Sequence, residues 1–294
     1  MNSLYPTGRW NCMWVTNCSL SRKTNMKGKS LEERMAAFVP QRPFVSRASE
    51  GRSRTAVLFI HGIAEGPSQF LIPAAWVNAL GMDAIALSLP GHGGTAHDFA
   101  CSGRRAWEAY VDRRVDACRS EYERLILVGH SMGGLLSLLT CLRRPDGVAG
   151  IVTVGCPLHV WVSARAVRSI LGARYHLLPA DAGEEAVRNA VNVAPGPTLG
   201  YAGWLPRLGD LFSMMRAVRK DLPCLSVPLL AVQGKRDELV WARRSIGCFR
   251  RRVSSVCLQT LVLPDTTHFC YPAADEAVLR EAFTNFCRAV ASRP

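Results

Sequence analysis

The chain is predicted to be an α/β protein, a mostly parallel sheet with helices on both faces, and three observations carry the prediction. Strand-like apolar runs at 56–60, 84–89, 125–129, 150–154, 227–233 and 259–263 alternate with segments of helical periodicity, the pattern of parallel strands joined by crossover helices. One run, Leu125-Ile126-Leu127-Val128, passes through a Gly-x-Ser-x-Gly string directly into a small, apolar helical stretch. With 294 residues, 48% of them hydrophobic, the chain can bury a large core around such a sheet.

Taken in order, Phe44-Val45-Ser46 adds a short edge strand ahead of the run at 56–60. Helices are expected over 67–80, 104–122, 131–143 and 272–290. The run 227–233 is broken by Gly234 and the run 259–263 by Pro264, so each ends in a loop. No strand is legible between 154 and 227, and this excursion reads as a helical cap, with flexible joints at Ala194-Pro195-Gly196-Pro197 and over 200–203. The expected organisation is therefore a basic, disordered N-terminal extension over 1–41, a catalytic domain formed by 42–156 and 227–294, and a cap or lid inserted over 157–226.

Gly129-His130-Ser131-Met132-Gly133 reads as a nucleophile elbow. A strand that reverses sharply into a helix crowds its own backbone, and residues without Cβ at 129 and 133 leave room for Ser131 at a strained apex. A serine hydroxyl is a poor nucleophile at neutral pH, so a base must take its proton and an acid must hold that base in one tautomer. Both follow in the chain: Asp237 in the loop after the run 227–233, and His268 in the loop after the run 259–263. Glu238 and Asp265 compete for the role of acid. The strand-end position favours Asp237, with Glu238 expected to begin the next helix and Asp265 to stabilise its own turn. The oxyanion is expected to meet two backbone amides, Met132 just after the nucleophile and Ile63 in the loop His61-Gly62-Ile63 after the first long strand. His61 and His92 read as loop supports rather than proton carriers.

Through these residues the chain resembles the α/β-hydrolase superfamily, and within it the bacterial carboxylesterases and monoacylglycerol lipase-like hydrolases. The likeness is carried by 57–62, 89–94, 129–134, 150–154 and 232–240, and spans roughly 42–290. The resemblance implies a serine esterase with nucleophile Ser131, acid Asp237 and base His268. It implies no cofactor and no metal. A serine at the apex, where dehalogenases and epoxide hydrolases of this fold carry aspartate, sets those branches aside. The expected substrate is a small apolar ester with a short or medium acyl chain, or a monoacylglycerol-like lipid, and Trp161, Trp204 and Met215 of the cap are expected to line its pocket. Thioesterase, C–C hydrolase and acyltransferase chemistry use the same three residues and stay open, as does a catalytically weak small-molecule receptor.

The formal net charge is +13, and the first 54 residues hold ten Lys and Arg against three acids. More than half of the excess therefore sits in a tail, which weakly resembles an organellar transit peptide, although Met26 or Met35 could equally start a shorter protein. The expected location is cytoplasmic, with an organelle as the alternative. Arginines outnumber lysines 31 to 5, and no aromatic-interleaved basic stretch suggests a nucleic-acid partner. A weak membrane-surface contact is compatible with the charge, but no apolar run approaches the length of a transmembrane helix. Eleven cysteines without C-x-x-C spacing argue for a reducing compartment and against a zinc site.

Overall fold

The computed structural model describes residues 30–48, 53–160, 189–254 and 256–293. Seven strands, β1 (Phe44–Ser46), β2 (Thr55–Ile60), β3 (Asp83–Ala86), β4 (Arg124–His130), β5 (Val148–Val154), β6 (Leu229–Gly234) and β7 (Leu258–Leu263), form one sheet in the order β1-β3-β2-β4-β5-β6-β7. All neighbours are parallel except β1, which pairs antiparallel with β3 at one edge. The eight helices among the described residues are α1 (Leu31–Ala36), α2 (Leu71–Asn78), α3 (Ala96–Cys101), α4 (Arg104–Glu121), α5 (Met132–Arg143), α6 (Leu205–Asp221), α7 (Ala242–Arg252) and α8 (Ala273–Ala291).

The central strands read as unbroken apolar runs because both their faces are covered. Side chains alternate across a strand, so Leu58, Leu125 and Leu127 enter one core with Trp107, Leu135, Met215 and Phe249, while Val57, Phe59 and Val128 enter the other with Phe70, Phe283 and Phe286. The first layer holds α4, α5, α6 and α7, and the second holds α2 and α8.

The boundaries differ from the expected ones where local backbone decides. The helix expected over 67–80 is a 3₁₀ turn, Pro67–Phe70, followed by α2, and Gly81 at φ +75° ends it. β3 stops at Ala86, and α5 starts at Met132 because Ser131 is not helical. Part of the N-terminal extension, residues 30–41, lies within the described residues. Ser30 and Glu33 form a reciprocal capping box that starts α1, and Gln41 bonds to both Asn189 and Asn192.

The excursion divides into two parts. Residues 161–188, with Trp161, lie outside the described residues. The later part re-enters beside the loop after β2, through a bridge between Val191 and Glu65, and closes with a 3₁₀ helix, Thr198–Trp204, and α6. Helix α6 packs on α4 and α5, burying Met214, Met215 and Val218, so this half belongs to the main core. Among the described residues, no helix is long and apolar enough to cross a membrane.

Candidate active site

The elbow follows from close packing. Ser131 has φ +52° and ψ −121°, a region of backbone space that costs on the order of 1–3 kcal/mol for a residue with a Cβ. The surroundings impose it. A Cβ on Gly133 would lie 1.9 Å from the Ile60 carbonyl oxygen, and one on Gly129 would lie 2.3 Å from the Gly133 backbone. The helix can therefore cross β2 and β4 this tightly only with glycine at both positions. The Ser131 amide donates to the Val154 carbonyl at 2.9 Å, which pins the apex to the end of β5. Among the described residues Ser131 Oγ makes no hydrogen bond, an open approach such as free hydrolase sites often show.

Asp237 and His268, 31 residues apart in sequence, meet at the ends of β6 and β7: His268 Nδ1 donates to Asp237 Oδ2 at 2.7 Å, with both side chains 1% exposed. The other carboxylate oxygen accepts the Leu239 and Val240 amides at 2.8 and 2.7 Å. Asp237 is thus fixed at both ends. The imidazole packs against Gly155, where a Cβ would lie 3.2 Å from its Cε1, so the ring sits beside the residue that follows Val154, the anchor of Ser131. Burial alone would lower the His268 pKa. The charge and hydrogen bond of Asp237, with Glu65 and Glu238 beyond, outweigh it and raise the pKa above the ordinary histidine value. The competitors for the acid are placed elsewhere. Glu238 precedes α7 by several residues instead of starting it, and its buried carboxyl accepts the His268 backbone N–H at 3.1 Å. Asp265 pairs with Arg236 at 2.7 Å rather than holding its own turn.

The expected oxyanion loop is a tight turn over 62–65. Glu65 N–H donates to the Gly62 carbonyl at 3.3 Å, and Ala64 sits at φ +58°. The Gly62 amide goes to Glu65 Oε2 at 2.7 Å, and the Ala64 amide goes to His92 Nε2 at 3.1 Å. Between them, the Ile63 N–H has no acceptor among the described residues. The Met132 amide lies in the first turn of α5, where no intrahelical acceptor exists. Neither amide is taken up by its own turn or helix. His61 accepts the Leu89 amide at Nε2 and donates from Nδ1 to the Gly62 carbonyl, and burial lowers its pKa to about 4. Burial takes His92 well below the usual value too. Both are neutral struts.

Glu65 and His130 were not anticipated as parts of the site. His130 precedes Ser131 and is fully buried; its Nδ1 lies 2.8 Å from Glu65 Oε2 and its Nε2 3.1 Å from the His268 carbonyl oxygen. Glu65 Oε2 also accepts Gln69 Nε2 at 2.9 Å, and Glu65 Oε1 occupies the space where a Cβ on Gly62 would fall. Burial pushes the Glu65 carboxyl up, but the charge and hydrogen bond of His130 bring it below the usual carboxylate range. Ligating atoms of Glu65, His130 and His268 lie within 4.8 Å of one another, yet the Glu65 and His130 atoms already bond to each other and to the two loops, so the cluster is complete as a hydrogen-bonded network. The only signal in the sequence was a glutamate three residues after Gly62, which means nothing without the fold.

Of the cap residues, Trp204 is partly buried, with its ring centroid 4.5 Å from that of Phe99 and its Nε1 donating to the Ala96 carbonyl. Met215 is 3% exposed in the core shared with α5. Residues 191–194 run along the turn at 62–65 and the loop after β3: Asn192 N–H donates to the Ala64 carbonyl at 2.8 Å, and Ala194 N–H to the Gly94 carbonyl at 2.9 Å. Cys156 is buried against Gly134, and burial raises its thiol pKa, so it packs rather than reacts. All nine described cysteines are free thiols.

This fold and strand-end placement define a class, and the comparisons agree. The alpha/beta hydrolase family model matches residues 57–281, and the chain belongs to that family. Human monoglyceride lipase is 28% identical over 205 residues, covering 64% of this chain and 67% of that protein. A 2-(acetamidomethylene)succinate hydrolase from Mesorhizobium japonicum is 27% identical over 285 residues, covering 86% of this chain and 98% of that protein. Among solved structures, a metagenome-derived lipolytic enzyme superposes with a TM-score of 0.66 at 22% identity, over 84% of this chain and 97% of its own.

Proposed function

We propose that this chain is a serine hydrolase that cleaves carboxylic esters with short or medium apolar acyl groups through an acyl-enzyme intermediate. The observation that carries the reading is the buried Asp237–His268 pair, hydrogen-bonded at 2.7 Å, on a ring that abuts the strand end anchoring a strained Ser131. Asp237 holds His268 with its proton on Nδ1, which leaves Nε2 as the acceptor that a serine hydroxyl needs. As Ser131 Oγ attacks the carbonyl carbon, Nε2 takes its proton. The Ile63 and Met132 amides stabilise the oxygen that becomes negative, and imidazolium Nε2–H protonates the leaving alcohol. Water enters by the same route, freeing the acid and restoring Ser131. The esterase and lipase names among the relatives support the ester class. Trp204 and Met215 are the described residues proposed to shape the acyl pocket, Trp204 at its rim and Met215 from the core behind it.

A second reading, a substrate carrying an anionic group, is favoured by one observation. A cavity of about 480 Å³ beside the acid loop is lined by His159, Trp241, Arg243, Arg244 and Arg251, with the Arg244 guanidinium stacked 4.0 Å from the Trp241 ring centroid. The Mesorhizobium relative is named for a succinate derivative, in keeping with this reading. The test is fluorophosphonate labelling of wild type and Ser131→Ala, followed by turnover of p-nitrophenyl esters graded in chain length, with and without a terminal carboxylate. Labelling at Ser131 and a preference for neutral acyl chains are expected. Labelling elsewhere would defeat the reading, and preference for carboxylate-bearing esters, lost in Arg244→Ala, would establish the second.

A further inference from the structure

Three parts of the site come from distant stretches of sequence: the oxyanion turn at 62–65, the elbow at 130–131 and the loop carrying His268. Each must hold its position to within a fraction of an ångström for the reaction to run, because misplacement by about 1 Å can cost on the order of 100-fold in rate. Glu65 and His130 touch all three. Glu65 Oε2 holds the Gly62 amide at 2.7 Å, and the carboxyl fills the Cβ space of Gly62. His130 Nδ1 meets that same oxygen at 2.8 Å, and His130 Nε2 meets the His268 carbonyl at 3.1 Å.

The protons can be counted from the partners. A carbonyl oxygen only accepts, so His130 Nε2 carries a hydrogen. The Glu65 carboxylate, already accepting from Gly62 and Gln69, also accepts from Nδ1, so both ring nitrogens donate. An imidazole that donates at both ends is a rigid, charge-assisted strut, and at 0% exposure no water competes for either bond. A neutral strut would suffice for packing, as His61 and His92 demonstrate nearby. The charged version is stronger and is aimed at the two loops that carry donor and base.

We propose that Glu65 and His130 act as one positioning unit, a buried acid–imidazolium clamp that fixes the Ile63 amide relative to His268 so that the oxyanion donor and the base stay in register during acyl transfer. The inference rests on the serine-hydrolase reading for its catalytic consequence, while the clamp itself is a property of the folded chain. Neither residue touches the reacting atoms.

The test combines kinetics with a readout that needs no turnover. In the full chain, Glu65→Gln, His130→Gln and the double variant are compared with wild type. Hydrogen exchange of the peptides around 61–66 and 266–271 is expected to accelerate together in each single variant, because cutting the clamp at either end releases both loops. kcat for an ester substrate is expected to fall on the order of 10- to 100-fold with KM changed less than about threefold. Binding of an alkyl boronic acid, whose tetrahedral adduct uses the oxyanion donors, is expected to weaken in parallel with kcat. The double variant is expected to be no worse than the worse single, as for residues acting as a unit. Additive losses, acceleration of one peptide without the other, or unchanged kcat despite both accelerating would each overturn the clamp. If the variants do not fold, wild type labelled with ¹⁵N-histidine decides: both ring nitrogens of His130 are expected to appear as N–H donors, as their partners require, and a ring nitrogen without a hydrogen would overturn it. Coupled acceleration in the variants, with a wild type that neither hydrolyses esters nor labels at Ser131, would defeat the proposed function and leave the clamp standing.

Discussion

Replacing Asp237 by Asn removes one charge and leaves the shape, and the structure fixes how the new amide must lie. The oxygen now accepting the Leu239 and Val240 amides at 2.8 and 2.7 Å can be replaced only by the Asn carbonyl oxygen, because an NH₂ group there would face two donors. The NH₂ is therefore turned toward His268 Nδ1. It donates to that nitrogen, the ring proton moves to Nε2, and the base can no longer accept from Ser131. The lost electrostatic support is also large: two unit charges at the observed 2.7 Å interact by about 6 kcal/mol at an effective dielectric of about 20. At 1.36 kcal/mol per decade this predicts a fall in kcat of about four powers of ten, the size known for this tautomer error in a well-studied triad. The assay is steady-state hydrolysis of p-nitrophenyl acetate at pH 7.5, with the melting temperature measured in parallel and expected to move by only about a few degrees. A loss smaller than about tenfold in a folded variant would refute the assignment, as would a larger loss in Glu238→Gln.

The remaining predictions follow from the same geometry. Because Asp237 raises the pKa of His268 and only the neutral ring is a base, kcat/KM should rise with pH along a limb centred above 6.5, and a limb at or below 6.5 in a pH–rate profile would contradict the pairing. The stability that this pair contributes is complete below the unfolded-state value and is lost as pH rises through the raised one, so the melting temperature should fall on the alkaline side by less in Asp237→Asn than in wild type. Gly133→Ala would put a Cβ 1.9 Å from the Ile60 carbonyl oxygen, so thermal melts should show a fall of about 10 °C or more, or no soluble protein; a shift under about 2 °C would mean that the helix can back away from β2. Met215→Ala empties a core site and should cost about 2–5 kcal/mol by denaturant titration, while Trp204→Ala, at a partly buried site, should shift the preferred acyl chain length and spare acetate esters; an unchanged chain-length profile would remove Trp204 from the pocket.

The sequence by itself determined the sheet and the order in which the proposed site residues follow along the chain. Continuous apolar runs in the sequence mark strands covered on both faces, and all six runs and the edge strand at 44–46 appear in the sheet. Gly129 and Gly133 around Ser131 were legible because the need for missing Cβ atoms is a local, steric fact. What it left undecided depended on distance in the chain. The strand-end position favours Asp237 over Glu238 and Asp265, but the partners of all three are set by the meeting of the β6 and β7 loops, which gives the first to the His268 ring, the second to its backbone and the third to Arg236. The stripe of Met214, Met215 and Val218 marks a packed face by its periodicity, but that this face docks on α5 is decided by the tertiary structure. Glu65 and His130, 65 residues apart, carry no pattern at all: a buried carboxylate and imidazole acquire meaning only when the fold removes water from both and leaves each as the other's partner.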